Sequence, residues 1–95
     1  MKLSIVVPAY NEEGRIGRML EAYLPYFAER YGSDFEIIVA VNGSTDRTEE
    51  IVRDFQKRFP QVRTRVDPRP IGKGGAIMAG GAIAQGELIG FVDAD

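Results

Sequence analysis

Residues 35–41 constrain the fold more than any other segment, because six of these seven residues are apolar and only Glu36 is polar. A strand with apolar residues at successive positions is usually buried on both faces, as in a parallel sheet that carries helices on each side. Residues 3–7 are rich in β-branched side chains and are followed by Pro8, which predicts another strand. The two segments together favour an α/β fold.

Between these two strands, apolar residues recur at helical spacing from residue 16 to residue 27. Asn11 is predicted to cap this helix, and Glu12 and Glu13 would lie in its first turn, where the helix dipole favours acids. Pro25 is expected to kink or split the helix, and Gly32 is expected to end it.

The second half of the chain continues the alternation of strands and helices. The pattern predicts a helix over residues 48–59 capped by Ser44 or Thr45, a polar edge strand over 62–66, a helix over 76–85 and a strand over 88–92. Gly80 and Gly81 weaken the third helix, which suggests close packing against the sheet or a ligand. The order β-α-β-α-β-α-β predicts an open, mostly parallel sheet with flanking helices, in one domain spanning residues 1–95.

The composition excludes several classes of function. The 95 residues include no cysteine and no histidine, so disulfides, thiolate or histidine metal sites and histidine acid–base catalysis are excluded. The net charge of −2 gives no basic field, so we expect no nucleic-acid partner. The apolar segment near the N-terminus is too short for a signal peptide or a membrane span, which predicts a cytoplasmic location.

Two acids, Asp93 and Asp95, directly follow the last predicted strand, which we expect to be buried. Side chains two residues apart in an extended chain point the same way, so the two carboxylates can hold one cation. Oxygen ligands suit Mg²⁺ or Mn²⁺. A solvated turn is the alternative interpretation of such an acidic strand end.

Polar residues of this chain collect after each predicted strand. Ligands of an open α/β sheet bind beyond the carboxyl ends of its strands, where these segments would meet. Their amides, hydroxyls, basic groups and carboxylates suit a nucleotide, with Lys73 near its phosphates. Neither the glycine signature of dinucleotide-binding proteins nor a complete P-loop is present. We expect Arg63, Arg65 and Arg69 to form a solvated basic stretch.

Four ordered segments resemble the family 2 glycosyltransferases, and in particular the polyprenyl (dolichol) phosphate mannosyl- and glucosyltransferases. They are residues 4–13 (SIVVPAYNEE), 36–46 (EIIVAVNGSTD), 72–74 (GKG) and 86–95 (GELIGFVDAD). The resemblance implies a GT-A fold with a Rossmann-like sheet, a UDP- or GDP-sugar donor, a divalent cation and an acceptor such as a polyprenyl phosphate. Residues 1–95 would be the donor-binding portion of such an enzyme.

The resemblance also implies roles for single residues. The Pro-x-Tyr segment and the glutamate after it would line the base and ribose pocket, and the second carboxylate of the Asp-x-Asp segment would bind the metal. The predicted nucleotide-binding residues are Pro8, Ala9, Tyr10, Glu12, Asn42, Lys73, Asp93 and Ala94, and the predicted metal ligands are Asp93 and Asp95.

The chain departs from the family pattern in two ways. Where the family usually has Asp-Asp-Gly-Ser, this chain has Val41-Asn42-Gly43-Ser44. The family aspartate accepts a hydrogen from the base; Asn42 can also accept, but it donates too and carries no charge, so uracil and guanine both stay open. Family members continue past Asp-x-Asp into the acceptor site, the general base and, in some branches, membrane helices. We therefore expect the catalytic residues outside this chain, and the chain alone to bind donor without transferring sugar.

Three other functions are alternatives, and the sequence lacks a feature that the first two would require. A sugar nucleotidyltransferase shares the sheet, although it would carry a glycine-rich loop where this chain has Pro8-Ala9-Tyr10. A receiver-like signalling domain would carry its acidic pair after the first strand. A non-catalytic nucleotide-binding or self-associating fragment would pair with another copy into a homo-oligomer through the last strand, where we expect an open edge or apolar surface.

Overall fold

A computed structural model describes residues 1–93, so that Ala94 and the predicted metal ligand Asp95 lie outside the described residues. The elements are β1 (Leu3–Ala9), α1 (Ile16–Tyr31), β2 (Phe35–Asn42), α2 (Thr48–Arg58), β3 (Val62–Asp67), α3 (Gly72–Ile83) and β4 (Leu88–Phe91). The predicted α/β fold and its βαβαβαβ order are confirmed.

The strands of the described range form one parallel sheet in the order β3-β2-β1-β4. The central strands β1 and β2 are buried along their whole lengths, as their continuous apolar sequences predict. The predicted edge position of β3 is confirmed. Because all neighbouring strands are parallel, their carboxyl ends lie at the same edge of the sheet.

Helices cover both faces of the sheet. The main hydrophobic core joins one face of β1 and β2 to buried residues of α1 and α2. On the other face α3 packs against both central strands. A Cβ added at Gly80 of α3 would lie 2.5 Å from Cγ1 of Val6, so the close packing predicted for Gly80 is confirmed. Apart from its chain neighbours and the adjacent helix backbone, no described atom lies within 4 Å of a Cβ added at Gly81. The predicted packing of Gly81 against the sheet is therefore wrong, and its proximity to a ligand stays a prediction.

Helix α1 begins at Ile16, later than predicted. Asn11 is not its cap, since the residue has a φ of 50°, in the left-handed region. The N–H groups of Arg15 and Ile16 both donate to the carbonyl of Glu12, at 2.9 and 2.8 Å. Glu12 and Glu13 therefore lie in the turn that precedes the helix, and its first turn carries no acid.

Three further predictions about elements are corrected. Helix α1 continues through Pro25, so a split there is wrong and a kink at this residue stays a prediction. Helix α3 begins at Gly72, before its predicted start at residue 76, and the glycines at 72, 74 and 75 are therefore helical despite their low helix propensity. The expectation of a buried last strand is wrong, since Leu88, Ile89 and Phe91 are 56%, 48% and 61% exposed. The reason is that β4 is an edge strand with a neighbour on one side only within the described sheet.

Glu36, the polar residue of β2 that sequence analysis left unexplained, is buried and connects several elements. Its Oε2 accepts hydrogen bonds from Oγ of Ser4 at 2.6 Å and from the N–H of Gln85 at 2.7 Å, and its Oε1 accepts one from Arg63 at 2.7 Å. Burial raises the pKa of the Glu36 carboxyl, but these hydrogen bonds lower it by more, so its pKa lies below the ordinary value. Arg63 is thus the counter-ion of a buried acid, and its expected solvated role is wrong.

Candidate functional site

A pocket of about 170 Å³ opens at the carboxyl edge of the sheet. It is formed where β1 and β2 end, where α3 begins and where the chain leaves β4. Its lining residues are Pro8, Ala9, Tyr10, Glu12, Asn42, Lys73 and Asp93. The structure therefore brings together every predicted nucleotide-binding residue that it describes, while Ala94 lies outside the described residues.

The loop after β1 is held against the loop after β2 by reciprocal hydrogen bonds at Asn11. The backbone N–H of Asn11 donates to Oγ of Ser44 at 3.0 Å, and its Oδ1 accepts from the N–H of Thr45 at 2.8 Å. Asparagine tolerates the left-handed backbone that this geometry requires better than most residues. These contacts fix the segment that carries Tyr10, which leaves the Tyr10 ring half exposed in the pocket wall.

Thr48, the buried first residue of α2, fixes Glu12. Its Oγ1 accepts the N–H of Glu12 at 2.8 Å, while its own N–H and hydroxyl donate to Oδ1 of Asp46 at 2.9 and 2.5 Å. Desolvation raises the pKa of Asp46, but hydrogen bonds from Thr48 and from the N–H of Glu13 lower it by more, so its pKa lies below the ordinary value. The start of α2 is therefore stabilised by Asp46, and the predicted caps Ser44 and Thr45 make other contacts.

The two buried polar side chains of the pocket wall are also fixed by the protein. Glu12 is 9% exposed, and its Oε2 accepts a hydrogen bond from Nε of Arg15 at 2.7 Å. Asn42 ends β2, is 5% exposed, and its Oδ1 accepts the N–H of Ile71 at 2.6 Å. Both side chains therefore have a preset orientation in the wall of the pocket.

Opposite charges meet at the start of α3. Nζ of Lys73 forms an ion pair with Oδ2 of Asp93, and both side chains remain partly exposed. Among the side chains of residues 1–93, none caps the N-terminus of α3, and the first N–H groups of a helix carry positive potential, here beside Lys73. The arrangement can attract an anion to the Lys73 side and a cation to the Asp93 side.

Within residues 1–93, no three carboxylate, histidine or cysteine side chains are close enough to form a metal site. Asp93, one of the two predicted ligands, lies in the pocket wall. Its carboxylate is a hard oxygen donor, which fits Mg²⁺ or Mn²⁺. These ions commonly take only one or two carboxylates, with phosphate oxygens and water as their other ligands.

A larger pocket of about 310 Å³ lies between α1 and α2 at the opposite end of β2. It is lined mainly by apolar side chains, and its charged lining residues are Glu21 and Arg58. Binding sites for polar ligands need several convergent polar groups. The smaller pocket meets this requirement and the larger one does not, so volume is a poor guide here.

Sequence reasoning missed the residues that position the pocket wall. The local sequence identifies Ser44 and Thr48 only as residues at the start of a helix, although their hydroxyls contact a loop more than 30 residues away in sequence. Their signal was a segment rich in hydroxyl and acidic residues directly after a strand. Ile71 acts through its backbone N–H, for which no side-chain signal exists.

Comparison with known proteins agrees with this geometry. A family model described as "Glycosyl transferase family 2" matches residues 4–95. A dolichyl-phosphate beta-glucosyltransferase of Trichomonas vaginalis is 42% identical over 97 residues, a match that covers 98% of this chain and 30% of the relative. The chain thus spans about a third of the length of the curated relatives that it matches.

Two solved structures share the fold and hold nucleotides. S. aureus TarS 1-349 in complex with UDP is similar with a TM-score of 0.76 at 28% identity, over 100% of this chain and 28% of that chain. The mannosyltransferase PcManGT from Pyrobaculum calidifontis, in complex with GDP-Man and Mn²⁺, gives a TM-score of 0.79 at 28% identity. That match covers 99% of this chain and 27% of that one.

In the range that the structure describes, no helix combines the length and the apolar character that crossing a bilayer requires.

Proposed function

The chain belongs to glycosyl transferase family 2, and on this premise we propose that residues 1–95 bind the nucleotide-diphosphosugar donor of a glycosyltransferase. The observation that carries the proposal is the single pocket lined by all the described residues that were predicted to bind a nucleotide. Four segments far apart in sequence contribute to it, and each lies at or just after the carboxyl end of a strand of the parallel sheet or begins the helix after one. Such a rim is the usual ligand site of open α/β sheets.

The β1 side of the pocket is suited to the base and the ribose. The half-exposed ring of Tyr10 can stack against a base without first leaving a packed core. Pro8 and Ala9 offer a small apolar surface beside it. The carboxylate of Glu12, kept in place by Arg15, can accept hydrogen bonds from ribose hydroxyls.

The α3 side is suited to the diphosphate. Lys73 and the N-terminus of α3 would face phosphate oxygens. Asp93, together with Asp95 of the Asp-x-Asp segment, would hold Mg²⁺ or Mn²⁺. When bound, this cation would neutralise the diphosphate and stabilise the departing nucleoside diphosphate as a Lewis acid.

We further propose that the complete enzyme transfers a hexose to a polyprenyl phosphate. The support is the name of the Trichomonas relative, a dolichyl-phosphate beta-glucosyltransferase at 42% identity. The acceptor site and the general base are assigned to none of residues 1–93. A cytoplasmic location, with association to a membrane in the complete enzyme, completes this proposal.

Isothermal titration with UDP and GDP, each with and without Mn²⁺, tests donor binding. We expect one nucleotide to bind, and to bind roughly tenfold or more weakly when the cation is removed. Asp93→Asn should remove most of the cation dependence. The matched control Asp54→Asn, on the exposed face of α2, should not change it. Absence of binding under all four conditions, or equal effects of the two substitutions, would reject the proposal.

A second function, self-association, is favoured by the exposed edge strand. Leu88, Ile89 and Phe91 are all exposed on β4, and an open edge with apolar side chains is a template for pairing. Light scattering over a concentration series measures this, with Ile89→Lys expected to lower the average mass. A monomer at every concentration would exclude self-association.

A further inference from the structure

The backbone of the loop after β3 fixes the side chain of Asn42. Gly43, with a φ of 63°, donates its N–H to the carbonyl of Asp67 at 2.8 Å. A Cβ at Gly43 would lie 2.5 Å from the nitrogen of Pro70, so this loop passes directly over the end of β2. The next residue, Ile71, donates its N–H to Oδ1 of Asn42 at 2.6 Å.

This contact determines which end of the amide faces the pocket. A backbone N–H can only donate, so the amide oxygen of Asn42 must face Ile71, and the flipped amide would set two donors against each other. Within residues 1–93, the Asn42 nitrogen makes no hydrogen bond. Yet the described residues include no fully buried side-chain nitrogen or oxygen without a partner. The NH₂ group of this 5%-exposed residue is therefore not fully enclosed by the protein, and Asn42 lines the pocket.

We propose that Asn42 selects the nucleobase by donating a hydrogen bond, so that the pocket prefers a base with an acceptor at this position. The acceptor would be a carbonyl oxygen or an unprotonated ring nitrogen. This inference rests on the proposed nucleotide function and reverses the expectation drawn from the family, in which an aspartate accepts a hydrogen from the base. A base that presented an N–H to Asn42 would leave two donors opposed, which lowers affinity by roughly 10- to 100-fold.

Asn42→Asp is the sharpest variant, because it changes the pocket-facing group and keeps the contact to the loop. One carboxylate oxygen can still accept the N–H of Ile71, while the other replaces the donating NH₂ with an acceptor. Two pairs of nucleotides are compared: UDP with CDP, and GDP with ADP. Within each pair, one base carries a hydrogen-bond donor where the other carries an acceptor. One nucleotide should be preferred by the unaltered chain, and we expect the variant to bind that nucleotide roughly tenfold or more weakly. We also expect the variant to prefer the other nucleotide of the same pair.

Inorganic pyrophosphate with Mg²⁺ is the control ligand, since it has no base. Any loss of pyrophosphate affinity in Asn42→Asp reports the repulsion between the added negative charge and the phosphates. We expect this loss to be smaller than the loss of affinity for the preferred nucleotide. Tighter binding of the preferred nucleotide to Asn42→Asp, or an unchanged preference within the pair, would overturn the inference. If the unaltered chain binds pyrophosphate and none of the four nucleotides, the proposed function itself fails.

A second measurement needs no substitution and so does not depend on how well a variant folds. In the ¹⁵N-labelled chain, the side-chain NH₂ protons of Asn42 should shift downfield when the preferred nucleotide binds with Mg²⁺. They should not shift in this way with pyrophosphate. A nucleotide complex in which these protons keep their free-state shifts would overturn the role of Asn42 as a donor to the base.

Discussion

Arg63→Met should destabilise the fold strongly, because it removes the cation that pairs with a buried acid. The Glu36 side chain is 1% exposed, and its Oε1 lies 2.7 Å from the Arg63 guanidinium. Methionine keeps an unbranched apolar stem but cannot donate a hydrogen bond. The carboxylate would then stay buried with Ser4 and the N–H of Gln85 as its donors and without a counter-ion.

The expected magnitude follows from the burial of the two partners. Breaking a buried ion pair by removing one partner costs about 3–5 kcal/mol. The Arg63 side chain is 34% exposed, so water can reach the vacated position and we expect the lower end, about 3 kcal/mol. A chain of 95 residues has a total stability of roughly 5–14 kcal/mol. A loss of about 3 kcal/mol should lower the Tm by roughly 12–24 °C.

Thermal and urea unfolding at neutral pH, followed by circular dichroism, measures the effect. The matched control is Arg65→Met on the same strand, because Arg65 pairs with the partly exposed Asp67 at 3.9 Å and should contribute less than about 1 kcal/mol. Combining Glu36→Gln with Arg63→Met should cost less than Arg63→Met alone, since no charge stays buried. Equal unfolding midpoints for Arg63→Met and Arg65→Met would refute the reasoning.

The pKa of Glu36 lies below its ordinary value, so its carboxylate stabilises the fold fully above about pH 5, and this contribution is lost as the pH falls through the folded-state pKa. Urea unfolding from neutral to acidic pH checks this, and a constant midpoint would contradict it. Gly80→Ala should destabilise by about 1–3 kcal/mol because its Cβ would meet a β1 side chain, whereas Gly81→Ala should stabilise by up to about 1 kcal/mol. The Tm values of the two variants measure this difference, and equal shifts would contradict the close packing of Gly80 against β1. Thr48→Val should cost about 1–3 kcal/mol and weaken nucleotide binding by leaving the N–H of Glu12 unpaired. Thr48→Ser should retain both the stability and the nucleotide affinity, as measured by unfolding and titration in parallel. Equal nucleotide affinities of Thr48→Val and Thr48→Ser would contradict this role of the Thr48 hydroxyl.

The sheet could be predicted well because the residues within β1 and β2 themselves indicate central strands. Continuous apolar runs identify central parallel strands, and parallel pairing alone brings their carboxyl ends to the same edge. The convergence of Tyr10, Asn42 and Lys73 on one pocket then follows from the order of strands and helices, without knowledge of any side-chain contact. What they bind is a separate question that topology does not answer.

The errors have a common physical cause, which is contact over long sequence separation. Asn11 resembles a helix cap locally, but its side chain bonds to Thr45, 34 residues away. Arg63 resembles a solvated charge until the strand order brings it beside Glu36. The expectation that β4 is buried was wrong for a related reason, since an apolar sequence does not reveal whether a strand is central or at an edge. The open edge expected for a self-associating fragment is the arrangement found in the described sheet.

The most direct test of the central claim is paramagnetic broadening of backbone amide NMR signals by Mn²⁺ in the presence of the bound nucleotide. We predict selective broadening around the pocket, at Tyr10, Lys73 and Asp93, with Mg²⁺ as the diamagnetic control. The exposed acidic face of α2, which includes Glu49 and Asp54, should be unaffected. Broadening centred on that face, or no nucleotide-dependent broadening at the pocket, would contradict the account.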